Sequence, residues 1–249
     1  MTGDENDFDI SDISTQKEIT MPTNYVVDGV TVTVSSTNIT TEIQYEAGAA
    51  IDADGAPNAY ALPSSGLHGL DNILNALDDP GHVVYDSHGD PIGPWAGVIV
   101  GPNGKPIIQT SGPWAGFCLS PTALSDHNFP ETDYRRFVDA TRIAYISVPP
   151  QLRQMGVCLG DGALVADRDT GLSIQALVAD IGPRKHLGEV SVACAQGLRF
   201  PNYSPRNGGV GKGIIVRIFL GSAANPPWDY RRTQADVAAL VDAFASQTA

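Results

Sequence analysis

The feature that most constrains the fold is a series of short apolar segments separated by turns rich in glycine and proline. The chain contains 26 glycines and 18 prolines among 249 residues. Residues 26–34 predict a hairpin with an Asp-Gly turn, and residues 159–179 predict a longer hairpin that turns at 167–171. Residues 213–220 predict a buried strand. Many short strands with a few inserted helices indicate an α+β domain with a β-barrel core.

Four segments carry signals typical of helices. Apolar residues at helical spacing predict helices over 66–79 and from residue 233 to near the end of the chain. Shorter helices are predicted over 132–141 and 189–196, the second closed by Gly197. These helices are the expected insertions in the barrel-cored domain.

Residues 1–23 differ in composition from the rest of the chain. They are acidic and polar, and they lack the basic start and apolar stretch of a signal peptide. They predict a disordered acidic leader, followed by a single domain over 24–249. No apolar run approaches the roughly 20 residues of a membrane span, so no membrane partner is expected.

The net charge of −13 limits the choice of partner. A nucleic-acid-binding protein needs basic patches, which this composition does not favour. An acidic surface suits a cationic partner, but it also keeps any protein soluble, and composition does not separate these two interpretations.

The three cysteines do not indicate a metal site. Cys118, Cys158 and Cys194 contain no Cys-x-x-Cys spacing, so zinc is not expected. One disulfide with one free thiol and three buried thiols are both compatible with the sequence. Cys194 lies among small apolar residues and is interpreted as a packed side chain.

Two carboxylates nine positions apart form the one group of residues in this sequence that indicates a chemical reaction. Asp180 ends an apolar run and precedes a Gly-Pro turn, and Glu189 opens the next apolar segment. Hydrolysis of a glycosidic bond uses such a pair, one group as acid and one to activate water or attack. The structural alternative is a turn cap at Asp180 and a helix-dipole partner at Glu189.

The sequence around this pair resembles glycoside hydrolase family 75, the chitosanases. Val-Ala-Asp-Ile-Gly-Pro at 178–183 and Gly-Glu-Val-Ser-Val-Ala at 188–193 carry the specific part of the resemblance. Residues 160–171, the Ile-Asp-Ala-Asp-Gly of 51–55 with Tyr60, and residues 207–219 are similar to further family motifs. The resemblance spans roughly residues 43–228.

The resemblance implies a double-psi-like barrel and an endo-acting, inverting chitosanase without a cofactor. Glu189 would be the general acid and Asp180 the general base. The substrate is then chitosan, whose ammonium groups need anionic contacts. The residues expected to bind it are Asp52, Asp54, Tyr60 and Asp161. We further expect a monomer that acts outside the cell.

A second function stays open at this point. A non-hydrolytic polysaccharide-binding or wall-loosening module could be built on the same kind of barrel. Such a module needs no paired acid and base, whereas this chain offers both. The Asp-x-Asp-Gly motif likewise has a structural alternative, a turn in which carboxylates accept backbone N–H groups.

Overall fold

The computed structural model describes residues 21–37, 40–182 and 186–248. Residues 1–20 of the predicted leader lie outside the described residues. The described part contains ten β-strands and three α-helices. The strands are β1 (Thr23–Val27), β2 (Val30–Ser36), β3 (Thr41–Asp52), β4 (Val84–Tyr85), β5 (Pro91–Ile92), β6 (Tyr145–Val148), β7 (Gly162–Asp167), β8 (Ser173–Ile181), β9 (Glu189–Ser191) and β10 (Val210–Phe219). The helices are α1 (Pro150–Gln154), α2 (Val192–Gly197) and α3 (Gln234–Thr248).

Six of these strands close into a barrel. They follow the order β3-β10-β7-β8-β6-β9, and β9 then pairs with β3. The β6–β8 and β3–β9 pairs are parallel, and the other barrel pairs are antiparallel. The β1–β2 hairpin turns at Asp28-Gly29 and extends β3 outside the barrel. The predicted α+β class with a barrel core is therefore confirmed.

The barrel strands are apolar on two faces because an outer layer covers the barrel. In β8, Ala176 and Val178 belong to one apolar cluster, whereas Leu177 and Ala179 belong to a second one. The first cluster joins barrel strands and α2, and the second includes α3 and the long segment between β3 and β6. Because successive side chains of a strand alternate in direction, β8 separates the two clusters.

The long segment between β3 and β6 is where the helix predictions fail. Residues 66–79 contain only a 3-10 turn at Ile73–Ala76, and 132–141 only one at Tyr134–Arg136. Asn72 and Asp133 accept N–H groups of their own turns, which favours short capped turns over continuous helix. The C-terminal helix is confirmed as α3.

The predicted helix over 189–196 is also wrong at its start. Glu189–Ser191 forms β9, and α2 begins at Val192. The Ser191 hydroxyl accepts the N–H of Cys194 and caps this helix. Pairing with both β3 and β6 holds Glu189 in a strand, a constraint that local periodicity does not contain.

All three cysteines are free thiols. Cys118 and Cys194 are buried, as the packing interpretation of Cys194 predicts, and Cys158 is exposed. Among the described residues, no helix is long and apolar enough to cross a membrane.

Candidate active site

Three adjacent strands bring the two sequence-predicted carboxylates to one end of the barrel. Ser147 on β6 is the register partner of Asp180 on β8 and of Glu189 on β9. Neighbouring strands lie about 4.8 Å apart, so the backbones at Asp180 and Glu189 are separated by roughly 10 Å. Register partners project to the same face of a sheet, and both carboxyl groups line one cleft.

Asp180 is held by a loop that crosses the end of β8. The backbone N–H of Ala123 donates to its Oδ1 over 2.7 Å. The same loop runs antiparallel to the strand, since the N–H of Leu124 donates to the carbonyl of Ala179. These contacts fix the orientation of the Asp180 carboxyl group toward the cleft.

Glu189 is positioned by two glycines. Gly188 has φ of +97°, and a Cβ there would lie 1.8 Å from the carbonyl oxygen of Gly48, so only glycine lets β9 approach β3. A Cβ on Gly182 would lie 2.8 Å from Glu189 Oε2. The bare backbone at Gly182 therefore leaves the space that the Glu189 carboxyl group fills.

The Asp-x-Asp-Gly motif forms a turn at the end of β3. Asp52 Oδ1 accepts the backbone N–H of Asp54 over 2.8 Å, and Asp52 Oδ2 accepts the Ser147 hydroxyl over 3.0 Å. Asp54 Oδ1 accepts the Ser120 hydroxyl over 3.0 Å. The motif therefore forms a turn, as its structural interpretation predicts. The same turn also places Asp52 and Asp54 in the lining of the cleft.

Tyr60 lies beside this turn. Its hydroxyl hydrogen-bonds the Asp54 carboxylate, and its ring is buried in the second apolar cluster. Tyr60 lines the cleft through its polar end. Of the six residues predicted to form the site, five are therefore brought together.

Asp161 is the exception, because the structure does not place it with the other five residues. It is 0% exposed and does not line the cleft. Its carboxylate accepts the backbone N–H groups of Cys158 over 2.7 Å and Ala223 over 3.2 Å. Asp161 therefore closes the turn that precedes β7 and ties it to the segment after β10.

The cleft is strongly acidic. Its volume is about 770 Å³. Among its described lining residues, Arg206 is the one basic side chain, and it donates to the carbonyl of Gly69 over 2.8 Å. Six acidic residues also line the cleft: Asp52, Asp54, Asp71, Asp78, Asp180 and Glu189. This charge balance favours a cationic ligand over an anionic one.

Burial and mutual repulsion raise the proton affinity of the cluster. Burial, and then the charge of Asp52, raise the pKa of Asp180 to about 7. Burial, and then the charges of Asp52 and Asp180, raise the pKa of Glu189 to about 8. Burial also raises the pKa of Asp52 and, with the charges of Asp52 and Asp180, the pKa of Asp54. Carboxylates this close do not all ionise at neutral pH.

The carboxylate oxygens of Asp52, Asp54 and Asp180 lie within 4.8 Å of one another. Each of the three already accepts a hydrogen bond from a protein donor. These donors occupy only part of the acceptor capacity of the carboxylates, and we assign no metal to the cluster. Protons or an organic ammonium group suit it equally well.

Sequence reasoning missed three residues of this site. Ser147 is 0% exposed and is a polar residue within an apolar strand, which is a detectable sequence signal. Asp71 is buried, and its carboxylate accepts the backbone N–H of Asn72 and the side-chain amide of Asn75. No local pattern distinguishes Asp71 or Arg206 from ordinary surface residues.

The chain matches no protein-family model and no curated protein.

Proposed function

We propose that this protein is an inverting endo-chitosanase in which Glu189 is the general acid and Asp180 the general base. The observation that carries the proposal is that adjacent strands place these two carboxyl groups in one acidic cleft, where burial and neighbouring charges raise the pKa of both. Raised carboxyl pKa values in a cleft are typical of residues with acid and base roles.

The raised pKa values support these roles, because burial and repulsion between the carboxylates favour a proton on the pair near neutral pH. In the proposed mechanism Glu189 holds that proton and donates it to the leaving oxygen, and ionised Asp180 accepts a proton from water.

The spacing of the strands supports inversion. Inverting glycosidases keep their carboxyl groups about 6.5–9.5 Å apart to admit a water molecule, and retaining enzymes about 5–5.5 Å apart. The two residues here lie on β8 and β9, with β6 between them. Because β6 lies between their strands, Asp180 and Glu189 are not direct cross-strand neighbours, which is compatible with the wider class.

The acidity of the cleft supports a polyamine substrate. Asp52 and Asp54 would contact glucosamine ammonium groups through charge-assisted hydrogen bonds, with the Tyr60 hydroxyl beside them. Endo action would require the cleft to admit the middle of a polymer. The carboxylates outnumber Arg206 among the described lining residues, which disfavours an anionic polysaccharide.

The test is the release of reducing ends from chitosan by the wild type, Asp180→Asn and Glu189→Gln. Each variant should lose more than about 90% of the rate, because loss of a general acid or base typically costs about 10²–10⁴-fold. Asp169→Asn and Glu131→Gln are matched controls on exposed carboxylates, 73% and 80% exposed, and should retain the wild-type rate. Proton NMR of fresh products should show the α-anomer first.

Three outcomes would contradict parts of this proposal. A variant that keeps more than about a tenth of the rate removes that residue from its assigned role. Initial release of the β-anomer excludes inversion. Chitosan binding without any release of reducing ends would favour the polysaccharide-binding module instead.

A further inference from the structure

A second, smaller cavity adjoins the acidic cleft. Its volume is about 220 Å³, against about 770 Å³ for the cleft. Asp71 and Arg206 line both cavities, so the two spaces meet at these side chains. Most of the other side chains that line the second cavity are apolar, namely Ala61, Pro63, Leu67 and Ile73. A ligand that extends out of the cleft past Arg206 therefore enters a small and largely apolar space.

Arg206 is held in place at this junction. It lies on a loop that is closed on itself, because the N–H of Gly208 donates to the carbonyl of Ser204 over 2.6 Å. Its Nη2 donates to the carbonyl of Gly69, in the segment that lines the second cavity, over 2.8 Å. A Cβ on Gly69 would lie 2.6 Å from the carbonyl oxygen of Ala59, so this segment is itself tightly packed. The guanidinium group is thus tied to both walls of the junction.

The guanidinium group of Arg206 retains donors for a ligand. It carries five N–H groups, and among the described residues the carbonyl of Gly69 is the one acceptor that it contacts. Asp71 is the one acidic residue among those described that line the second cavity. Its carboxylate already accepts the N–H of Asn72 over 2.6 Å and the side-chain amide of Asn75 over 2.9 Å. The second cavity therefore offers N–H donors and apolar surface, whereas the cleft offers carboxylates.

This difference separates the two sugar units that chitosan contains. The ammonium group of a glucosamine unit would be repelled by Arg206, and Asp71 is already engaged by protein donors. An N-acetylglucosamine unit instead carries a neutral acetamide, with a carbonyl oxygen that accepts N–H groups and a methyl group that favours apolar surface. An anionic group would be repelled by the acidic residues of the adjoining cleft.

We propose that the second cavity is a subsite for an N-acetylglucosamine unit of partly acetylated chitosan, in which Arg206 donates to the acetamide carbonyl and Leu67 contacts the acetamide methyl group. Arg206 is then a specificity-determining residue. The proposal rests on the chitosanase function above and narrows its substrate to chitosan that retains part of its acetyl groups.

The test compares kcat/KM on soluble chito-oligosaccharides of equal length that are either fully deacetylated or partly N-acetylated. Arg206→Ala should lower the ratio of acetylated to deacetylated kcat/KM about tenfold, the usual cost of losing a hydrogen bond to a charged group. Arg231→Ala is the matched control. It removes the same charge from a side chain that is 87% exposed and lines neither cavity, and it should leave the ratio unchanged.

A second variant tests the cavity without disturbing the contact between Arg206 and Gly69. Leu67 is 38% exposed and lines the second cavity but not the cleft. Leu67→Asp places a carboxylate in the cavity, which attracts an ammonium group and should lower the same ratio. Leu67→Asn has the same shape without the charge and should lower the ratio less.

An unchanged ratio in Arg206→Ala would overturn the proposal, even if both rates fall, because it would mean that the arginine only ties its loop to Gly69. An unchanged ratio in Leu67→Asp would overturn it as well. Calorimetric titration of Glu189→Gln with the partly acetylated oligosaccharides measures binding without turnover, and adding Arg206→Ala should raise Kd about tenfold. That result, in a protein whose wild type releases no reducing ends, would keep the subsite and refute only the chitosanase function.

Discussion

Replacing Asp52 with Asn should shift the whole pH profile of hydrolysis to lower pH. The Asp52 charge raises the pKa of both Asp180 and Glu189, so its removal lowers both. Because the proposed mechanism needs the base ionised and the acid protonated, the raised pKa values of Asp180 and Glu189 bound the active pH window. Both limbs of that window should therefore move in the same direction.

The size of the shift follows from the geometry. Carboxylate oxygens of Asp52 and Asp180 lie within 4.8 Å of each other. At an effective dielectric constant of about 20, two unit charges at this distance repel by about 3.5 kcal/mol, or about 2.5 pH units. The centres of charge lie farther apart than the nearest oxygens, which reduces this figure. A shift of about 1–2 pH units is the expected result.

The assay is kcat/KM between pH 4 and 10 on soluble chito-oligosaccharides, with each profile normalised to its own maximum. Normalisation removes the loss of substrate binding that Asp52→Asn also causes. Asp161→Asn is the matched control, because Asp161 is a buried carboxylate that does not line the cleft. An optimum that stays in place or moves to higher pH in Asp52→Asn would refute the electrostatic reasoning.

Three further changes have defined outcomes. In the folded state the pKa values of Asp180 and Glu189 exceed their ordinary values of 3.8 and 4.5. The protonated carboxyl groups therefore stabilise the fold at low pH, and this stabilisation is lost as pH rises through about 7 and about 8. Calorimetry should accordingly show that Asp180→Asn raises Tm more at pH 9 than at pH 5, and an equal effect at both would contradict this sign. Gly182→Ala should reduce kcat with little change in Tm, because its Cβ displaces only the end of the Glu189 side chain; a large fall in Tm with normal kcat would argue otherwise. Asp161→Asn should lower Tm by several degrees and leave KM unchanged, because the carboxylate accepts two backbone N–H groups. A raised KM would show that Asp161 contributes to substrate binding.

The sequence predicted those parts of the site whose signals are local. Asp180 is recognisable because an apolar run ends in a Gly-Pro turn, and the hairpin before it follows from strand periodicity. The Asp-x-Asp-Gly motif was found in the same way. In each case the chain within about ten residues contains the information that fixes the conformation.

The parts that escaped prediction depend on barrel closure. Glu189 was expected in a helix because small apolar residues follow it, but pairing with β3 and β6 places it in a strand. Ser147 lies beside Asp180 and Glu189 only because β6 lies between β8 and β9. Asp161 was assigned to the cleft from its motif alone, and its carboxylate instead faces the backbone of a neighbouring turn.

The acidic cleft has a further consequence through linkage between ligand and proton. Several carboxyl groups share one buried space, and burial together with their repulsion raises the pKa of Glu189. A bound ammonium group would offset that repulsion and lower the pKa of Asp180 and Glu189 together, and protonation of the cleft would weaken ammonium binding by the same free energy. A neutral sugar would have no such effect. The arrangement therefore discriminates between substrates by charge through the same groups that are proposed to perform the reaction, and selectivity and pH dependence cannot be altered independently at Asp52.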